Sequence, residues 1–149
     1  MSHRILFVCL GNICRSPSAE AVVRTRAEAR GMALELDSAG TGRWHIGEPP
    51  YAAMQQAARL RGYDLSALRA RQVTPRDFSR FDLIVAMDGQ NLQDLRDIAP
   101  VTGGAELCLM TDYAPSLGTD EVPDPYYTGD FEGTLDLIER CAEGLLDQL

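Results

Sequence analysis

Cys9 and Arg15 stand six positions apart in the segment CLGNICR, directly after the apolar run Arg4 to Cys9 (RILFVC). A short return between a strand end and a helix start can curl around an anion, with successive amide N–H groups turned inward and the helix dipole adding positive potential. Gly11 and Asn12 are the residue types that accept the left-handed backbone such a curl needs. Arg15 then offers a planar fork to two oxygens of a phosphate, a geometry that lysine cannot reproduce. Cys9 falls on the floor of this cradle. Inward amides, a helix N-terminus, the Ser16 hydroxyl and Arg15 all favour its thiolate, so its pKa is expected below that of a free thiol. A thiolate beneath a bound phosphate is placed for in-line attack on phosphorus. A Walker-type nucleotide loop is excluded, because that motif needs Gly-Lys-Ser/Thr and the chain contains no lysine.

Attack of this kind expels an alkoxide or phenoxide, and departure is easier when a neighbouring acid supplies a proton. Asp124 is the candidate. It lies between Pro123 and Pro125 in VPDPYY, where two prolines stiffen the backbone, and Tyr126 and Tyr127 follow with rings that can face an aromatic substrate.

Positioning these residues falls to an alternation of strands and helices. Arg4 to Cys9 reads as a parallel strand covered on both faces. Ser16 is the expected N-cap of the next helix, with Pro17 in its first turn, good helix formers from Ala19 to Arg30 and Gly31 as a stop. A second strand is expected over Ala33 to Ala39, and the glycines and prolines from Gly40 to Pro50 mark a loop around Trp44 and His45. Further helices are expected over Tyr51 to Arg61, Thr74 to Phe78, Asn91 to Ile98 and Phe131 to Leu149. Strands are expected over Phe81 to Met87 and Glu106 to Met110. Thr111 to Gly129 lacks periodicity, and a loop of that length is usually functional or disordered. The alternation implies an α/β protein whose parallel sheet has helices on both faces, in one domain spanning residues 1–149. Ligands of such sheets sit beyond the carboxyl ends of the strands, where Cys9 falls.

Composition narrows the function classes. The 149 residues include 14 cations, all arginine, against 22 acids, a formal charge of −8 that argues against a nucleic-acid or anionic-membrane binder. Residues 1–80 carry 12 Arg against 7 acids, net +5, and residues 81–149 carry 2 Arg against 15 acids, net −13. This split suggests that acidic phosphopeptides approach over the first-half surface. No uninterrupted apolar stretch is long enough to span a bilayer, and the run after Arg4 is too short for a signal peptide, so a cytoplasmic protein is expected. The four cysteines match neither a secreted disulfide framework nor a zinc site and are expected as free thiols, Cys108 and Cys141 serving only packing.

CLGNICRSPSAE, SAGTGRWHIGEPP, ARQVTPRDF, FDLIVAMDGQNLQDL and VPDPYYTG, taken in order over nearly the whole chain, resemble the low-molecular-weight protein tyrosine phosphatases. The resemblance implies a flavodoxin-like three-layer sandwich with a four-stranded parallel sheet and neither cofactor nor metal. It implies a substrate that is a phosphotyrosine-containing protein or a small aryl phosphate, with inorganic phosphate as product and inhibitor. It implies that Cys9 attacks to form a cysteinyl phosphate, that Arg15 and the loop amides hold the transition state, and that Asp124 acts as acid and then as base. Leu10, Gly11, Asn12, Ile13, Cys14, Ser16, Trp44 and Tyr126 are then substrate-binding positions, Ser38 braces the loop and Asp88 orients Arg15. Cys14 is placed to form a reversible disulfide with Cys9. The chain departs from the family pattern at Leu68, where many relatives have a histidine, and at Tyr51, where many have an acid. A thioredoxin-coupled arsenate reductase shares this fold and loop but needs further cysteines after the third strand, and Met87 to Pro100 has none. A catalytically silent phosphotyrosine-binding module would need neither nucleophile nor acid.

Overall fold

The computed structural model describes residues 3–149. Four strands, β1 (His3–Cys9), β2 (Leu34–Gly40), β3 (Leu83–Ala86) and β4 (Glu106–Leu109), form an all-parallel sheet in the order β2-β1-β3-β4. β1 is central and pairs on both edges, which explains its nearly continuous apolar run. Its residues alternate between two cores. Ile5, Phe7 and Cys9 join the core shared with α1 (Arg15–Ala29) and α6 (Phe131–Asp147), to which α2 (Ala52–Leu60) contributes Met54, Ala57 and Ala58. Leu6 and Val8 point to the other face, against Phe78 of α3 (Asp77–Arg80), Phe81 and Leu95 of α4 (Gly89–Ile98). The sheet is thus covered on both sides, as expected of a flavodoxin-like sandwich, and the direction of strand addition reverses between β1 and β3. That reversal opens a crevice beyond their carboxyl ends.

Most element boundaries shift by a residue or two, the short helix expected over Thr74 to Phe78 lies instead at Asp77–Arg80, and three further differences bear on the site. α1 begins at Arg15 with Cys14 as an N-cap that makes no side-chain cap bond, so Ser16 is not the cap. The Ser16 hydroxyl is occupied by Cys9 Sγ and Asn12, and this local bonding outranks capping. The strand expected over Phe81 to Met87 is only four residues long, because its pairing with β1 covers only Leu83–Ala86. The aperiodic segment from Thr111 to Gly129 holds two 3-10 turns, Met110–Tyr113 and Pro115–Leu117, and a single helical turn, α5 (Pro125–Thr128). Among the described residues no helix is long and apolar enough to cross a membrane.

Part of the uneven charge is paired within the fold. Arg26 of α1, Arg30 at its C-cap and Arg61 after α2 form ion pairs with acids along α6: Glu132, Asp136, Glu139, Glu143 and Asp147. First-half arginines therefore clip the acidic last helix onto α1 and the end of α2, and part of the +5/−13 split is neutralised internally. Glu139 lies at the centre. Partial burial raises its pKa, but the Tyr63 hydroxyl (2.6 Å), Arg26 and Arg61 outweigh it and leave the carboxyl below its ordinary value. A carboxylate with a depressed folded-state pKa adds stability above its unfolded pKa and loses it as pH falls through the folded value. Glu139→Gln should therefore lower the melting temperature by a few degrees at neutral pH, with the gap from wild type closing in acid. Thermal melts across pH check this.

Candidate active site

The segment from Cys9 to Arg15 is shaped by what its carbonyls bond to. The Thr41 and Gly42 amides donate to the Cys9 and Leu10 carbonyls (2.9 Å each), the Tyr51 amide donates to the Ile13 carbonyl (2.8 Å), and the Ser18 hydroxyl donates to the Cys14 carbonyl (2.7 Å). With the carbonyls tied outward, the peptide N–H groups between them turn into the loop, and those of Gly11, Ile13 and Cys14 donate to no protein acceptor among the described residues. Such a concave row of free donors is suited to receive an anion. Gly40 permits the approach: a Cβ there would lie 2.8 Å from the Leu10 carbonyl oxygen, closer than real contacts allow. The left-handed residue of the curl is Asn12, at φ 58°; Gly11 does not need positive φ.

Asn12 and Ser16 lie behind the loop rather than in the cleft. Asn12 Nδ2 donates to Ser16 Oγ (2.8 Å) and Ser38 Oγ (3.0 Å), and its Oδ1 accepts from the Arg71 amide (3.0 Å). Its own amide donates to Cys9 Sγ (3.3 Å), and Ser16 Oγ sits 3.0 Å from the same sulfur. An anionic sulfur at this point is met by two donors. Leu68, at the family's histidine position, packs against the apolar core instead of joining this network.

Arg15 enters the site from the first turn of α1 and is almost fully buried. Its NH1 donates to Asp88 (2.7 Å) and to the Val122 carbonyl (2.9 Å), while NH2 makes only a long contact with Asp124 (3.4 Å). Nε, though buried, has no partner among the described residues. The side of the fork formed by Nε and NH2 is the one that two phosphate oxygens match. Burial works against the positive charge, but the Cys9 sulfur, Asp88 and Asp124 prevail and hold the guanidinium pKa above its ordinary value. Asp88 is also the N-cap of α4, its Oδ1 accepting from the Asn91 amide (2.7 Å), so the helix fixes the carboxylate that fixes the arginine.

Asp124 caps α5, its Oδ1 accepting from the Tyr126 amide (3.1 Å). Of its two flanking prolines, Pro125 opens a helical turn within the segment expected as loop. Around the mouth a cleft of about 220 Å³ is lined by Cys9, Leu10, Gly11, Ile13, Cys14, Arg15, Trp44, His45, Asp124, Tyr126 and Tyr127. Burial first, then the neighbouring Cys9 sulfur and Asp124, push the Cys14 thiol well above its ordinary pKa, so it lines the cleft as a neutral group. Trp44 is 71% exposed at the rim. His45, which the motif reading passed over, joins the lining with Nδ1 2.6 Å from Glu48, and its place beside Trp44 was the available signal. The Val122 carbonyl that holds Arg15 had no signal, because a backbone oxygen leaves none in a side-chain pattern.

The fold and the cleft together define a flavodoxin-like α/β protein with a thiol, a guanidinium and a carboxylate converging on an anion loop. The chain belongs to the low molecular weight phosphotyrosine protein phosphatase family, whose model matches residues 4–149. It is 44% identical over 144 residues to the low molecular weight protein-tyrosine-phosphatase YfkJ of Bacillus subtilis, covering 95% of this chain and 92% of that one. It is 45% identical over 153 residues to a low molecular weight protein-tyrosine-phosphatase of Streptomyces coelicolor, covering 98% and 93%. The crystal structure of YfkJ superposes with a TM-score of 0.94 at 43% identity, covering 99% of this chain and 94% of that chain. That of a protein tyrosine phosphatase from Entamoeba histolytica gives 0.92 at 37% identity, covering 98% and 96%.

Asn12 offers a test of the loop that separates backbone from side chain. Asn12→Ala and Asn12→Gly lose the same side-chain bonds, about 1 kcal/mol each, but only alanine also bears roughly 1 kcal/mol for the left-handed backbone. The order of melting temperatures should be wild type, then Gly, then Ala, as read by calorimetry.

Proposed function

We propose that the protein hydrolyses phosphotyrosine in proteins, and small aryl phosphates, through a cysteinyl-phosphate intermediate. The observation that carries this reading is the Cys9 sulfur, met by Ser16 and the Asn12 amide, on the floor of a loop whose free amides and Arg15 fork address a tetrahedral oxyanion. In the first step the Cys9 thiolate attacks phosphorus, the aryl oxygen departs, and Asp124 gives that oxygen its proton. In the second, water attacks the phosphocysteine, Asp124 takes the proton back, and the Cys9 thiolate leaves as inorganic phosphate forms. The loop amides and the Nε–NH2 edge of Arg15 hold the equatorial oxygens of both transition states, while Asp88 and the Val122 carbonyl retain NH1.

The walls support an aryl ester. Tyr126, Trp44 and Leu10 border the cleft and offer aromatic and apolar surface to the ring of an aryl ester. Inorganic phosphate, as product, would occupy the same loop and compete with substrate. The four free cysteines are in keeping with a cytoplasmic location.

Cys9→Ser should abolish turnover of an aryl phosphate while keeping inorganic phosphate bound, as measured by steady-state assay and by phosphate titration. Measurable turnover in that variant would remove Cys9 from the nucleophile's role. Asp124→Ala should slow poor leaving groups by about 10²- to 10⁴-fold, the usual scale of a lost acid catalyst, and good leaving groups far less. Equal losses across a series of substituted phenyl phosphates would refute acid catalysis by this residue.

A further inference from the structure

Tyr51 does not line the cleft, yet it touches three parts of the molecule that do or that support one. Its amide donates to the Ile13 carbonyl (2.8 Å), which ties it to the anion loop. Its ring stacks on Phe131 at the start of α6 (centroids 6.0 Å apart, planes at 22°), and Phe131 packs against the apolar core. The same ring also meets Tyr126 in an edge-to-face pair (5.3 Å, 66°). Tyr126 is a wall of the cleft and donates its amide to Asp124 Oδ1, so the orientation of that turn and of the carboxylate are linked.

We infer that Tyr51 is a positioning residue that braces the Asp124–Thr128 turn against the anion loop, so that the carboxylate and the Tyr126 wall keep a fixed place over Cys9. The turn needs such a brace. α5 is a single helical turn, Tyr126 and Tyr127 are 48% and 74% exposed, and the Asp124 contact with Arg15 is long at 3.4 Å. The Tyr51–Tyr126 pair supplies it from the side, and Phe131 keeps the Tyr51 ring from swinging away. The ring does this work rather than the phenol hydroxyl, which has no hydrogen bond among the described residues.

The inference rests on the proposed reaction, and two independent readouts keep the two apart. With substituted phenyl phosphates, Tyr51→Leu should raise KM about three- to ten-fold, the scale of a lost aromatic pair, and steepen the dependence of kcat/KM on leaving group. Tyr51→Phe should restore both to wild-type behaviour. In a cycle with Tyr126→Leu the effects should be non-additive, since the second loss removes a pair already broken. By hydrogen exchange, Tyr51→Leu should speed the amides of Tyr127, Thr128 and Gly129, bonded within the turn, while β1 amides keep their protection. An active wild type with unchanged KM and leaving-group dependence in Tyr51→Leu, additive losses, or a Phe variant as impaired as Leu would each overturn the brace. Loss of β1 protection in Tyr51→Leu would mark a global packing role and also overturn it. A wild type inactive on aryl phosphates, with the exchange response intact, would reject the reaction while retaining the brace.

Discussion

A peptide group has two polar ends, and the site depends on which of them the loop after β1 shows to its interior. Each carbonyl given to a partner outside the loop turns an adjacent N–H inward, and the partners come from three separate segments: Thr41 and Gly42 after β2, Tyr51 before α2, and Ser18 within α1. None of these donors is itself a reacting group. Their effect is to convert a stretch of ordinary backbone into a concave positive surface without a single lysine. The missing Cβ at Gly40 is part of the same constraint, because the β2 end must lie close enough for the neighbouring amides to reach.

The second half of the chain acts on that surface through one guanidinium. Arg15 belongs to α1 by sequence, but Asp88 at the start of α4 and the Val122 carbonyl set its direction. Two carboxylates and a sulfur around one buried cation leave its charge well supported despite the burial. The arginine is thus held by the sheet's carboxyl edge, and its free edge faces the loop.

The parts of this arrangement that were legible in the sequence share a cause. β1 and the helix after it announce themselves by an apolar run and a proline, and the strand-loop-helix order places Cys9 and Arg15 together by chain connectivity alone. Asp124 was legible through its flanking prolines. Ser16 reads in the sequence both as a helix cap, since a serine before a proline fits that role, and as a hydroxyl near the Cys9 sulfur; the structure keeps the second role and gives the cap position to Cys14. The charge split was visible, but its purpose was not: arginines of α1 and acids of α6 lie more than a hundred positions apart and meet only when the helices pack side by side. The outward ties of the loop carbonyls were also invisible, being backbone bonds between distant segments.

Ribosomal synthesis proceeds from the amino terminus, and the separation of Arg15 from Val122 by 107 positions gives that direction a meaning. Cys9 and its loop emerge early. The carbonyl that aims the guanidinium, the Asp124 turn and the helix that clips α1 all emerge late. A nascent chain therefore carries the thiol long before it carries the means to aim anything at it, and the finished centre arises as a late tertiary event of high contact order.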